Sequence, residues 1–271
     1  MRNYVIEEIN CDNWDSLEKK CRKLSVSNPD YIFRGQYDAN WPVNSSFQRF
    51  IKTTGTKIFK ESEDPFNRLL SYFKPHYDRK FKNQKFSHDD YIGIGQHYGL
   101  PTPYLDWTKT IDKAIFFAFC EEITNPLSHE AVALYAFRIN HIDTLVDSMN
   151  MKEHLKIKKG IKLFEEFGLY LIEPNVKLPN DRIDQQDGIF LKIGGSINQN
   201  LDLVQILQKV YNCYNFIRPI IYKFVLRRTD ALSVLRNLHL KSGINFSTIY
   251  PDRDGFAKQA RFEFIINQKS T

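Results

Sequence analysis

A chain of 271 residues, 42% hydrophobic and 14% aromatic, carries enough apolar material for one large core and lies outside the composition of disordered chains. Its formal charge of +6 and sequence pI of about 9.0 favour an anionic partner over a cationic one. The four cysteines, Cys11, Cys21, Cys120 and Cys213, form no CxxC, which argues against a zinc knuckle or disulfide framework and for reduced thiols.

The start, "MRNYVIEEINCDNW", places charges where a signal peptide needs an apolar centre. The longest apolar run, Ala114 to Cys120, is far shorter than a bilayer span. A soluble, cytoplasmic protein with no membrane partner is the expectation, and nothing in the sequence specifies an oligomer.

In chain order, "NYVIEEI" reads as a strand and "NWDSLEKKCRKLS" as a helix capped by Asn13 or Asp15. "YIFRGQ", Tyr31 to Gln36, is a strand that delivers a guanidinium, Arg34, behind three apolar residues. "DPFNRLLSYFKPHYDRKF" is helical with an interruption expected at Pro75. "HDDYIGIGQHYG" reads as a helix end breaking at glycine, with Gln96 and His97 expected in a bending loop. "LPTPYLDW" is too proline-rich to predict as regular structure, and "IDKAIFFAFCEEI" follows as a helix.

"EAVALYAFRI", Leu169–Ile172, "DGIFLKI" and "IRPIIYKFVL" have strand composition. "DALSVLRNLHLKSG" is a helix closed by Gly243, and the tail turns through Pro251-Asp252 into a last helix. Strands and helices mix without a βαβ rhythm. The prediction is a single α+β domain over residues 1–271, with a central mixed or antiparallel sheet flanked by helices.

Several polar groups interrupt this apolar background. Arg34 offers a bidentate fork for carboxylate or phosphate, and Gly35 removes a side chain so that a ligand or another backbone can approach. Gln36 follows directly. Gln96, His97 and Tyr98 stand together, as do Asp106, Trp107 and Thr108, with Thr108 or Thr110 able to cap the next helix and open its first-turn amides to an anion. "RIDQQDG" adds Arg182, Gln185 and Gln186.

Each has a structural alternative. Arg34 and Asp106 could pair in the core, His97 could hold backbone carbonyls, and Trp107 beside an apolar helix could be core packing. Asp252 and Asp254 in "YPDRDG" lack EF-hand spacing and fit helix capping better than metal binding.

Four blocks of this chain resemble the FRG domain family, named for its (Phe/Tyr)-Arg-Gly motif. They are "FRGQ" with Trp41 and "SSFQR", "GQHYGLPTPYLDWTKTIDKAIFFAF", "EPNVKLPNDRIDQQDGIF", and "TIYPDRDGFAK", which place the core of the resemblance at residues 28–260. The family is widespread in bacteria and phages and has no general activity, so the resemblance names a family without a reaction; a toxin or phage-defence role would come from gene neighbours.

Two classes of function fit. One is a nucleotide cleft, with NAD or another nucleotide as cofactor and no metal, in an enzyme laid out like ADP-ribosyltransferases. Arg34, His97 and Glu173 would then be catalytic. The layout is an analogy, and the amides of Gln185 and Gln186 stand where a carboxylate would serve oxocarbenium chemistry better. The other is a non-catalytic module for nucleic acid or a phosphorylated partner, supported by the basic balance and abundant tyrosine but by no RRM, HTH or KH pattern. Metal-dependent hydrolysis through His97, Asp106, Asp184 and Asp254 has no supporting spacing.

Overall fold

The computed structural model describes residues 5–27, 31–55, 64–80, 86–121, 130–139, 162–164, 167–172, 182, 185–194, 200–214, 219–227 and 231–268. Among these residues, eight strands form one mixed sheet. They are β1 (Ile6–Cys11), β2 (Tyr31–Gln36), β3 (Tyr104–Thr108), β4 (Ala131–Arg138), β5 (Lys162–Phe164), β6 (Leu169–Ile172), β7 (Gly188–Ile193) and β8 (Ile221–Arg227). Their spatial order is β1-β8-β4-β2-β3-β7-β6-β5. Among the described residues, only the β1–β8 ladder is parallel; the remaining ladders are antiparallel. This bears out the α+β class and the mixed sheet.

The alternation along β4 shows how two layers of core arise. Ala133, Tyr135 and Phe137 join one buried cluster, while Val132, Leu134 and Ala136 join the other. The first face is covered by α6 (Leu203–Tyr214), whose buried Leu203, Ile206, Leu207, Val210 and Tyr211 follow helical spacing.

The second face is covered by α1 (Trp14–Ser27), α5 (Ile111–Phe119), α7 (Ala231–Ser242), the short α8 (Phe246–Ile249) and α9 (Arg253–Gln268). A smaller cluster joins α2 (Ser46–Thr54), α3 (Pro65–Lys80) and α4 (His88–His97) beside Tyr104.

Several local expectations hold for identifiable reasons. Asn13 caps α1 by accepting from the Ser16 amide at 2.9 Å. Gly243, at φ 67°, closes α7 in the left-handed conformation. Asp252 caps α9, its Oδ1 accepting from the amides of Asp254 and Gly255 at 3.0 and 3.1 Å.

Three expectations are corrected. Helix α3 runs unbroken through Pro75, whose ring costs one backbone hydrogen bond without ending the helix. The prolines before β3 do not prevent a strand: Pro103 lies outside it, and Tyr104 begins five residues in register with β7. Gln96 and His97 occupy the last turn of α4, not a loop; the chain bends afterwards at Gly99, φ 86°. Among the described residues, no helix is long and apolar enough to cross a membrane.

Candidate functional site

Strands β2 and β3 share a single registered pair, Phe33 opposite Thr108. Past that pair the ladder stops, although β2 continues against β4 and β3 against β7. A cavity of about 770 Å³ lies where the strands part, bounded by α4, the C-terminal end of α5 and the segment before α9. Arg34, Gly35 and Gln36 line it from β2, Asp106, Trp107 and Thr108 from β3, and Gln96 and His97 from α4. Arg182 and Gln186 complete the set. The three sequence segments around Arg34, His97 and Asp106 therefore converge on one hollow.

The pairing expected as an alternative, Arg34 with the Asp106 carboxylate, is not formed. Arg34 donates from Nη1 to the backbone carbonyl of Asp106 at 2.6 Å, satisfying an acceptor that the interrupted ladder leaves open. Its Nε is buried and has no partner among the described residues.

The Asp106 carboxylate accepts instead from Gln96 Nε2, and Gln96 Oε1 accepts from the Thr102 hydroxyl at 2.9 Å. Burial raises the pKa of Asp106, with Arg34, Gln96 and Arg49 pulling the other way. Its side chain is nonetheless open to the cavity.

Arg49, from the first turns of α2, also lines the cavity. It donates from Nη1 to the Asn44 carbonyl at 2.6 Å. Burial lowers the pKa of both Arg34 and Arg49, and Arg49 lowers that of Arg34 further by like-charge repulsion. Guanidinium groups start so far above neutrality that both stay charged. The sequence reading passed over Arg49, which stands in the block "SSFQR"; its signal is helix phase, since Phe47, Gln48 and Ile51 are buried and leave Arg49 turned elsewhere.

The remaining side chains divide clearly. Gly35 admits a backbone, not open space: a Cβ there would stand 1.9 Å from the Ala114 carbonyl oxygen and 2.5 Å from the Ala118 nitrogen of α5. Gln36 is buried and donates to the carbonyls of Asp38 (3.1 Å) and Trp41 (2.5 Å), tying down the loop beside the cavity. Trp107 is 3% exposed and packs its ring against Phe137, so it is core and not a stacking surface. Its indole nitrogen is buried without a partner among the described residues.

Thr108 is buried and accepts from the Thr110 amide at 3.2 Å. Thr110 takes the N-cap position of α5 but makes no capping bond, and the chain's own Asp187 lies beside it, bonded to Lys113 at 2.6 Å. The cavity meets α5 at its opposite end, through Phe117, Cys120 and Glu121. The first-turn amides of α5 are therefore not the expected anion site.

Arg182 is already paired: it binds Asp252 and lies 3.9 Å from Asp254, with its guanidinium over the Tyr250 ring at 5.1 Å. The pair holds the Asp252 carboxyl down to about 2. His97 is exposed, its pKa lowered by partial burial and by Arg182, which favours the neutral imidazole at neutral pH.

Tyr98, 73% exposed, and Gln185 are not among the residues lining the cavity. Glu173 and Asp184 lie outside the described residues. Tyr250, absent from the sequence reading, forms part of the wall, with burial raising its pKa well above the usual phenol value. Among the described residues, no cluster of three or more His, Cys, Asp or Glu side chains could hold a metal ion.

The family model for the FRG domain matches residues 29–126, covering the blocks around Arg34 and around Gly95–Phe119. No curated protein matches the chain, and no solved structure does. Arg34, Arg49, Gln96, His97 and Asp106 all fall inside the matched stretch, whereas Arg182 and Tyr250 reach the cavity from outside it.

Proposed function

We propose that the FRG domain carried by this chain forms a pocket for an anionic small molecule of the nucleotide class, with NAD the favoured ligand. One observation carries the reading: two guanidinium groups, Arg34 and Arg49, line one cavity, and among the described residues neither forms an ion pair with a carboxylate. Each is parked on a backbone carbonyl, which uses one donor of several and leaves the charge uncompensated by direct contact. Two like charges held together in partly desolvated surroundings are costly in the ligand-free protein and favour a phosphate-bearing ligand.

The cavity volume of about 770 Å³ falls within the range of roughly 300–1,000 Å³ common for small-molecule sites. Asp106 is placed to accept from a sugar hydroxyl, while Phe190 and the half-exposed Trp41 supply apolar wall. A hollow bounded by α4, α5 and the sheet suits a compact ligand better than the continuous track that a nucleic-acid strand would need.

ADP-ribosyl or glycosyl transfer is the further step of this reading. Such chemistry needs a carboxylate facing the sugar, the role expected of Glu173, with Arg34 on the phosphates and His97 at the cavity wall. The layout argument for a transferase remains one of analogy.

The test is calorimetric titration with NAD, ADP-ribose, AMP and adenosine. Saturable binding of the phosphorylated ligands, weakened at least about tenfold by Arg49→Gln and absent for adenosine, is expected. No heat with any of the four ends the reading. Release of nicotinamide from NAD would then separate an enzyme from a binding module. Retention of single-stranded RNA or DNA that falls steeply with salt, and is unaffected by NAD, would assign the protein to the nucleic-acid class instead.

A further inference from the structure

Asp106 stands in the same cavity as Arg34 and Arg49 yet is tied to neither through its carboxylate. Its Oδ1 is taken by Gln96 Nε2. The Gln96 amide bridges two groups: its oxygen accepts from the hydroxyl of Thr102, a fully buried residue, while its Nε2 donates to Asp106. Thr102 is itself anchored, its amide donating to Ser46 Oγ at 2.9 Å and its carbonyl accepting from the same hydroxyl at 3.2 Å. No other side chain bonds the Asp106 carboxylate among the described residues.

An anion entering beside the two guanidiniums therefore meets a carboxylate that neither guanidinium binds. Ionised, that carboxylate repels the anion. Protonated, it becomes a hydrogen-bond donor and the repulsion disappears.

This deepens the pocket reading above and rests on it. We infer that the seat formed by Arg34 and Arg49 takes a phosphoryl-type anion together with one proton, carried by Asp106 as a hydrogen-bond donor to the bound oxygen. Burial has already moved Asp106 in the required direction, and a second negative charge nearby moves it further the same way.

The other charged or titrating groups on the cavity wall come from several directions. They are His97 on α4, Cys120 and Glu121 at the end of α5, and Tyr250 before α9, with Arg182 held by Asp252 and with Tyr37 just after β2. Burial lifts Cys120 to about 12 and Tyr250 well above its ordinary value, so neither exchanges protons near neutrality. His97 is the group whose protonation would mimic the effect, since a cationic imidazole also attracts anions.

The experiment is isothermal titration of the full chain with sulfate and, separately, with NAD, neither of which changes protonation between about pH 5 and 8. It compares the unchanged protein, Asp106→Asn and His97→Gln. In the unchanged protein, affinity is expected to fall with rising pH, approaching about tenfold per pH unit, with proton uptake visible as a buffer-dependent heat. Asp106→Asn, which keeps the shape and loses the ionisable group, should bind with no such slope and at least about tenfold more tightly at pH 8. His97→Gln should keep the slope.

A flat profile in the unchanged protein, or a slope that survives Asp106→Asn and vanishes in His97→Gln, overturns the inference. Sulfate binding with the expected slope but no NAD binding supports proton coupling and ends the nucleotide reading. NAD binding with no pH dependence does the reverse. If neither ligand binds, both fall. Should Asp106→Asn fail to fold, titration of the Asp106 carboxyl carbon by NMR with and without sulfate decides the matter, an unmoved midpoint being the overturning result.

Discussion

Arg34 reaches the Asp106 backbone carbonyl at 2.6 Å and leaves the Asp106 carboxylate to Gln96. The distinction matters because an arginine bonded to a carboxylate would be a structural ion pair, whereas one resting on a neutral carbonyl keeps donors for the cavity, with Asp106 acting on it only through space. The same contact repairs the ladder where β2 and β3 part after one registered pair. A single side chain thus closes a break in the sheet and marks the place where a ligand can enter.

The first prediction follows from that double role. Arg34→Lys retains charge and reach but presents one nitrogen instead of a planar fork, so it cannot hold the carbonyl and an anion in fixed geometry together. Anion affinity should drop about tenfold, equivalent to about 1.4 kcal/mol, while the urea midpoint moves little. Titration with NAD or sulfate beside a denaturation curve measures both. Unchanged affinity would show that the guanidinium faces no ligand.

The second concerns Gly35, where a methyl group would stand 1.9 Å from the Ala114 carbonyl oxygen. Both blocking atoms are helix backbone, so no side chain can swing aside, and α5 would have to lift from the sheet. Gly35→Ala should cost about 3 kcal/mol, at the upper end for overpacking. Urea unfolding monitored by circular dichroism checks this. A loss below about 1 kcal/mol would mean that α5 is free to shift.

The convergence of the "FRG", "GQH" and "LDW" segments was legible because each sets polar or glycine residues into an apolar surround, which needs a reason. What the local pattern could not convey was direction. Arg49 reaches the cavity through helix phase, which shows only once α2 is placed, and Tyr250 through chain crossing, which no neighbouring residue signals. Trp107 reads as a platform beside Asp106 until strand alternation turns it to the opposite face, into the cluster with Leu105 and Phe137. Strand β3 was obscured by Pro101 and Pro103, which precede its first ladder pair, Tyr104 with Lys192. Helix α6 is absent from the sequence analysis although "LVQILQKVYNCY" carries the apolar spacing of a helix.

A third prediction tests the support beneath Asp106. Thr102→Val removes the hydroxyl that donates to the Gln96 amide oxygen while keeping the buried volume nearly constant. The Gln96 oxygen then loses its hydrogen-bond donor, and destabilisation of about 1–2 kcal/mol is expected. Thr102→Ser should restore most of it. Equal losses in both variants would trace the effect to the missing methyl group and not to the hydrogen bond.

The fourth prediction uses the Arg182–Asp252 pair. The folded protein holds the Asp252 carboxyl at about 2, below its ordinary 3.8, chiefly through the hydrogen bond from Arg182 and also through the amides of Asp254 and Gly255. A carboxyl depressed on folding stabilises the native state above its unfolded value, and that contribution disappears as pH falls toward the folded value. The window therefore runs from about pH 4 down to about pH 2. With side chains 27% and 34% exposed, solvent screening limits the contribution to about 1 kcal/mol. Asp252→Asn preserves the cap on α9, because Asn serves that position as well as Asp, but removes the charge. It should lower stability at pH 7 by about that amount and flatten the dependence between pH 4 and 2. Denaturant unfolding at several pH values reads both effects. A variant whose acid profile parallels the unchanged protein would show that the ion pair contributes nothing to this range.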